Sequence, residues 1–353
     1  MKILVIQQKM IGDVLTSTIL FEKLRERYPD AKLYYLINSH TKPVVEHNPF
    51  IDELILFTPE LEKRKRLFYR FLKSIKSEQF DIVIDVYSKL SSNLITSFSG
   101  AKTKISYHKH YSTWMYHHNI KRLNKTTSNA GLAIVNRLQL LTPLNISPSE
   151  VTPKLYLTPS ETEGAKALLQ AHGITKERPL VMISVLGSGT NKTYPHRYMA
   201  HVIDTIVKQT KTTILFNYIP KQLDDAKNIY DLCDSRTQEH IKFEVFGKSL
   251  REFLALLNEC DAIIGNEGGA INMAKALQVK TFAIYAPWIS KATWSIFEDG
   301  IVNDSVHLEE YHPEAYSNVK QPKALLPKVE AYYDMFKPLL FQDKLNAFLQ
   351  HLQ

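Results

Sequence analysis

Short β-branched or aromatic segments alternate with helical ones along both halves of the chain, and this alternation limits the fold more than any other feature. In the first half, residues 3–6, 33–37, 54–57, 82–86 and 104–107 read as strands with helical stretches between most of them. In the second, 180–185, 213–217, 241–246, 262–265 and 281–285 read as strands, with helices at 196–209, 221–233, 249–258 and 269–277. Such alternation builds βαβ units and parallel sheets, an α/β fold class. At 353 residues the chain is too long for one ordinary core, and it fits two domains of about 150 to 170 residues each. Between them lies "PLNISPSEVTPKLYLTPSE", whose four prolines a continuous helix or central strand would not tolerate. The expected organisation is a Rossmann-like domain over 1–150, a second over 160–335, and a C-terminal helix in 336–353 with Leu340, Leu345, Phe348 and Leu352 near helical spacing.

Open α/β sheets bind ligands outside the carboxyl ends of their strands, so two such domains predict a cleft with its chemistry on strand-to-helix turns. Three turns stand out. The first is Gly12-Asp13, after the opening strand. A dinucleotide site would carry G-x-G-x-x-G here, whereas this turn has one glycine and a carboxylate that repels phosphate. The plain reading of Asp13 is an N-cap, and a cap at the mouth of a cleft can also serve catalysis.

The second turn is "SVLGSGTNKTYPHRYM", where Gly187, Ser188, Gly189 and Thr190 precede Lys192. Small residues leave N–H and hydroxyl donors free, and the lysine can neutralise a phosphate. G-x-x-x-x-G-K-[ST] is absent, so this is no P-loop, and a glycine-serine turn with a solvated lysine is the competing reading. The third is "DAIIGNEGGAINMAKAL". Gly268 and Gly269 open a helix whose free N–H groups suit a diphosphate, and Glu267 ahead of them can accept from sugar or ribose hydroxyls. A simple capped helix is the alternative there.

Charge divides unevenly. Residues 1–150 hold 22 Lys+Arg against 13 Asp+Glu, whereas the whole chain holds 44 against 36, so the entire excess lies in the first half. A polyanionic partner is implied for that half, nucleic acid or an anionic lipid surface, with a merely basic domain as the alternative. Two segments suit it. "EKRKRLFYRFLKSIK" sets Lys63, Arg64, Lys65, Arg66, Arg70 and Lys73 beside Leu67, Phe68, Phe71 and Leu72 on an expected amphipathic helix. "ISYHKHYSTWMYHHNIKR" mixes aromatic residues with Lys109, Lys121 and Arg122. Its His108, His110, His117 and His118 lack an i, i+4 pair with a supporting carboxylate, and no metal site is expected. Cys233 and Cys260 are expected to be buried thiols. No apolar run approaches a membrane span or a signal peptide, which predicts a cytosolic protein.

The order "QxxxIGDVLTSTIL", "SGAKTKISY", a Gly-Ser/Thr turn with Lys-x-Tyr-Pro, and "GNEGGAINMAKAL" resembles glycosyltransferase family 9, the ADP-heptose:lipopolysaccharide heptosyltransferases, over nearly the whole chain. The resemblance implies a GT-B fold with an acceptor-binding N-terminal domain and a donor-binding C-terminal domain. It implies that Asp13 acts as general base, which explains an acid where a phosphate would be expected. It assigns Lys192 to the leaving diphosphate, Ser188, Gly189 and Thr190 to the phosphate turn, and Glu267, Gly268 and Gly269 to the second donor motif. That motif is usually Asp-Thr-Gly with a following His. This chain has Glu267-Gly268-Gly269 and Asn272, which can donate a hydrogen bond but carries no charge.

The expected function is therefore inverting, metal-independent transfer of a heptose from ADP-heptose, without a cofactor, to a lipopolysaccharide core acceptor of the lipid A–Kdo type. D-x-D is absent, which leaves Lys192 and the helix N-terminus to stabilise the leaving group. Lys65, Arg66, Arg70, Lys109, Lys121 and Arg122 would face the anionic glycolipid acceptor and the inner-membrane surface, the protein being cytoplasmic and peripherally bound. The alternatives are transfer of another nucleotide sugar, a nucleotide-sugar epimerase of the same architecture, and a nucleic-acid-binding protein. No helix-turn-helix, zinc or RNP signature supports the last, and no nucleic-acid partner is expected.

Overall fold

The computed structural model describes residues 1–175, 177–319 and 321–352. The chain divides into two units between Tyr156 and Leu157, inside the proline-rich stretch. Each unit is built around its own parallel sheet.

In the first unit, β1 (Lys2–Ile6), β2 (Lys32–Asn38), β3 (Glu53–Phe57), β4 (Ile82–Asp85), β5 (Thr103–Tyr107) and β6 (His118–Ile120) lie in the order β3-β2-β1-β4-β5-β6, all pairs parallel. β1 and β4 are buried along nearly their whole length, as a central strand covered by helices must be. The chain winds outward through β2 and β3, then returns to β4 on the other side of β1. The switch point therefore lies between the carboxyl ends of β1 and β4.

The second unit holds β7 (Leu180–Ser184), β8 (Thr213–Phe216), β9 (Ala262–Asn266), β10 (Lys280–Ile284) and β11 (Asn303–Val306) in the order β11-β10-β9-β7-β8. Its switch point lies between β7 and β9. The carboxyl ends of β7, β9 and β10 stand side by side.

Several expectations change. Residues 241–246 form no strand. Only a single bridge, Ile241 to Ile214, reaches the sheet, and the chain then turns with the Val245 N–H donating to the Lys242 carbonyl at 3.1 Å. β6 and β11 are additional strands. The segment 62–76 is not one helix: Arg64 is extended and separates Pro59–Lys63 from Lys65–Ser77. Its apolar side also faces inward. Leu72 and Ile75 are buried, and Phe68 and Phe71 meet Phe57 edge-on, with centroids at 6.0 and 5.9 Å, in the core that Leu4, Leu36 and Val83 help to form. Lys65, Arg66, Arg70 and Lys73 are exposed.

The C-terminal helix proper is Gln342–Gln350, and it belongs to the second unit, where Phe348 packs on Phe282 with ring centroids 5.5 Å apart. It buries Leu345, Phe348 and Leu349, while Leu340 is exposed. Cys233 and Cys260 are buried, and burial pushes both thiols up, Cys233 to about 12. No helix among the described residues is long and apolar enough to cross a membrane.

Candidate active site

Asp13 sits three residues deeper than the N-cap position, in the helix's first turn. Met10 holds the N-cap position of the helix Ile11–Ser17 without a side-chain cap bond, and the Asp13 side chain meets Arg137, with Nη2 donating to Oδ1 at 2.5 Å. The cap reading is thereby corrected. Arg137, on the helix Gly131–Gln139, also donates through Nε to Ser17 Oγ at 2.9 Å and through Nη1 to the Ala133 carbonyl at 2.7 Å. These three bonds lock a buried guanidinium and leave Asp13 partly exposed at the carboxyl end of β1, at the switch point. Around it, burial raises the Tyr107 phenol, opposed by Arg137 and Arg122 and reinforced by Asp13. The Arg122 guanidinium lies 3.8 Å from the Tyr107 ring centroid.

Along the same edge, Lys109 donates to the Ser88 carbonyl, and its pKa is lowered by burial and by Lys89 and Arg122, with Asp85 opposing. Asp85, ending β4, is wholly buried. It accepts from the Ser88 N–H at 2.7 Å and faces the Tyr116 hydroxyl at 2.6 Å, and desolvation pushes it up to about 6 against these bonds. Lys121 is exposed. Of the histidines of this segment, His108 and His110 meet edge-to-face with ring centroids 5.0 Å apart, and His117 Nδ1 accepts from the Lys104 N–H. Among the described residues no three His, Cys, Asp or Glu side chains gather as metal ligands.

In the second unit the other predicted residues converge on its switch point. Gly187 is needed where the turn after β7 folds back, since a Cβ there would stand 2.3 Å from the Lys192 carbonyl oxygen. Thr193 Oγ1 closes the turn, accepting from the Gly187 N–H and donating to the Gly189 carbonyl. Ser188, Gly189 and Thr190 are left exposed, and Thr190–Lys192 form one 3-10 turn.

Across the switch point, Gly265 approaches β7 so closely that a Cβ would lie 2.5 Å from the Ser184 carbonyl oxygen, at φ +131°. Asn266 stitches the two turns together. Its Nδ2 donates to the Ser184 and Val185 carbonyls at 2.8 and 2.9 Å, and its Oδ1 accepts from the Tyr194 N–H at 2.6 Å. Consequently Glu267 and Lys192 face each other, Oε2 to Nζ 3.9 Å. Burial raises the Glu267 carboxyl, opposed by Lys192 and Lys275, and its Oε2 takes no hydrogen bond. Gly268 and Gly269 open the helix Gly269–Ala276 just beyond, with Asn272 buried one turn in.

Sequence reasoning missed four residues. Arg137 lies 124 positions from Asp13. Asn266 stood inside a motif already singled out, and a buried asparagine at a strand end was its only signal. Lys275, on the buried face of the motif's helix, donates to the Ile296 carbonyl at 2.7 Å, and burial pushes it down to about 8 against the nearby Glu298 and Asp299 carboxylates. Trp288, after β10, donates its indole N–H to the Asn191 carbonyl at 2.7 Å.

Among proteins of known sequence, lipopolysaccharide heptosyltransferase 2 of Salmonella typhimurium is 24% identical to the chain over 301 residues, covering 81% of this chain and 83% of the relative. A crystal structure of a family 9 glycosyltransferase from Veillonella parvula superposes with a TM-score of 0.73 at 18% identity, over 94% of this chain and 97% of that one. Escherichia coli ADP-heptose LPS heptosyltransferase II gives 0.66 at 17% identity, over 95% and 99%. These likenesses establish the GT-B class for the two α/β units. Residues 68–323, running from the basic helix of the first unit past the Lys192 and Glu267 turns of the second, match the model of glycosyltransferase family 9 (heptosyltransferase), and the chain belongs to that family of glycosyltransferases.

Proposed function

We propose that this glycosyltransferase moves a heptose from ADP-heptose to a lipopolysaccharide core acceptor of the lipid A–Kdo type, in one inverting displacement that needs no metal. The observation that carries the reading is the Lys192–Glu267 pair across the second switch point, beside the open Ser188–Thr190 turn. The pair offers an ammonium for a leaving diphosphate, free N–H and hydroxyl donors for its oxygens, and a carboxylate for sugar or ribose hydroxyls. The names of the Salmonella and Escherichia relatives support heptose as the sugar and lipopolysaccharide as the acceptor.

Asp13 takes the proton of the acceptor hydroxyl as its oxygen bonds to the anomeric carbon. The bond from that carbon to the diphosphate oxygen breaks, and ADP leaves with the charge that Lys192 and the N-terminus of the helix Gly269–Ala276 meet. Gly268 and Gly269 let the diphosphate approach, and Asn272 donates where the family usually has histidine. Lys109, Lys121 and Arg122, with Lys65, Arg66 and Arg70 of the basic helix, serve the phosphorylated acceptor and the anionic inner-membrane surface from the cytoplasmic side.

Purified protein given ADP-heptose and a lipid A–Kdo acceptor, with other nucleotide sugars in parallel and chelator present, tests this by mass spectrometry of the product. Heptose addition from ADP-heptose alone is expected. Isomerisation or hydrolysis of the donor without acceptor, or transfer of a different sugar, would overturn it.

A further inference from the structure

β10 ends beside β9, and the chain after it runs through Tyr285, Ala286 and Pro287 to Trp288. This turn is held from two sides. The Ile289 N–H donates to the Ala286 carbonyl at 2.9 Å, and the Tyr316 hydroxyl donates to the Pro287 carbonyl at 3.0 Å. Trp288 is thereby presented, half-buried, to the lysine turn 97 residues earlier in the chain. Its indole N–H donates to the Asn191 carbonyl, and Lys192 Nζ lies over its ring, 5.4 Å from the centroid.

We infer that Trp288 is a positioning residue for Lys192: its N–H pins the turn that carries the lysine, and its ring holds the ammonium ready for a diphosphate. Lysine is a flexible stem with three donors, and a lone carboxylate nearby draws it into a contact pair that occupies them. Here Glu267 stands at 3.9 Å, beyond hydrogen-bond reach, and the indole face attracts the charge from another side. A ring quadrupole attracts a cation without consuming an N–H donor. Lys192 Nζ accordingly makes no hydrogen bond among the described residues, so its donors are free for phosphate oxygens. The inference rests on the proposal that Lys192 meets the donor's diphosphate.

The test compares ADP with adenosine, which lacks the phosphates, by calorimetry on the full chain. Wild type should bind ADP more tightly than adenosine. Trp288→Leu should weaken ADP about tenfold while leaving adenosine within about twofold, and Trp288→Phe, which keeps a ring and loses the N–H, should fall between, the loss being of cation–π size. Unchanged ADP affinity, or equal losses for ADP and adenosine, would overturn the role. A wild-type protein that does not prefer ADP would instead overturn the donor reading and the inference with it. A second measurement leaves Trp288 in place. With Trp114 and Trp294 replaced by Phe, Trp288 emission should change on saturating ADP and not on adenosine. Emission indifferent to bound ADP overturns the inference even if Trp288→Leu does not fold.

Discussion

At the scale of single residues, Arg137 changes what a substitution of Asp13 can report. It engages Oδ1, leaving Oδ2 without a hydrogen bond among the described residues, and on the proposed mechanism Oδ2 is the oxygen that receives the proton. Asn at position 13 keeps an acceptor for Arg137 but removes the charge opposite a buried guanidinium. Asp13→Asn should therefore fold with a loss of about 1 kcal/mol and bind ADP normally, while transfer falls by roughly 10² to 10⁴. Melting temperature, ADP affinity and turnover on one variant separate the roles, and near-normal transfer would reject the base. Lys192→Ala removes the charge aimed at the leaving group, with an expected loss of roughly a hundredfold in rate, together with weaker ADP binding. Unchanged turnover and ADP affinity would reassign that turn.

At the scale of elements, the helix Lys65–Ser77 keeps its apolar side in the core, so any lipid contact it makes is electrostatic rather than insertive. Lys65→Glu with Arg66→Glu should weaken flotation with anionic liposomes and spare ADP binding, because charges near such a surface count for about 1 kcal/mol each. Raised salt should mimic the change, the Debye length being about 8 Å at physiological ionic strength. Flotation indifferent to both would leave acceptor contact to explain the basic face.

The elements legible in the sequence were those whose own residues determine them. Buried runs such as Leu4–Val5–Ile6 and Ile263–Ile264 announce central strands, and the site turns carry their chemistry within a few residues. β11 reads Asn-Asp-Ser-Val and β6 reads His-Asn-Ile, edge strands that only the ladder of a neighbour makes extended. Conversely, Phe243 spends its apolar surface on Tyr218, stacked at 5.2 Å, rather than on a ladder, which is why 241–246 misled. Arg137 and Trp288 reach Asp13 and the lysine turn from distant elements, and no local pattern encodes a partner that far along the chain.

At the scale of the whole molecule, each unit buries a titrating group, and the two act on stability with opposite sign. In the second unit His307 is pushed down to about 4 by burial and by Lys291. Its unfolded form takes a proton near its ordinary value of about 6.5, so this unit loses stability as pH falls from there toward 4. In the first unit Asp85 is raised to about 6. The folded form then holds the extra proton between about 4 and 6, and this unit loses stability as pH rises through that window. Desolvation is the cause, opposed by the Tyr116 hydroxyl, which faces Asp85 Oδ2 at 2.6 Å and Asn93 Oδ1 at 2.7 Å with one proton for two acceptors. A proton on Oδ2 lets Asp85 donate to Tyr116 and Tyr116 donate to Asn93. Asp85→Asn reproduces that pattern permanently: Oδ1 still accepts from Ser88, and Nδ2 donates to the phenol. Relative to wild type, the variant should therefore gain about 1 kcal/mol at pH 4.5 and progressively more up to pH 7, reaching about 3 kcal/mol if the whole shift is realised. Hydrogen exchange resolved by peptide should confine that gain to residues 1–156 and leave 157–352 unaltered. A stability difference that does not change with pH would show that Asp85 is ionised in the folded unit throughout, with Tyr116 donating to it and the Asn93 amide turned to donate in its place.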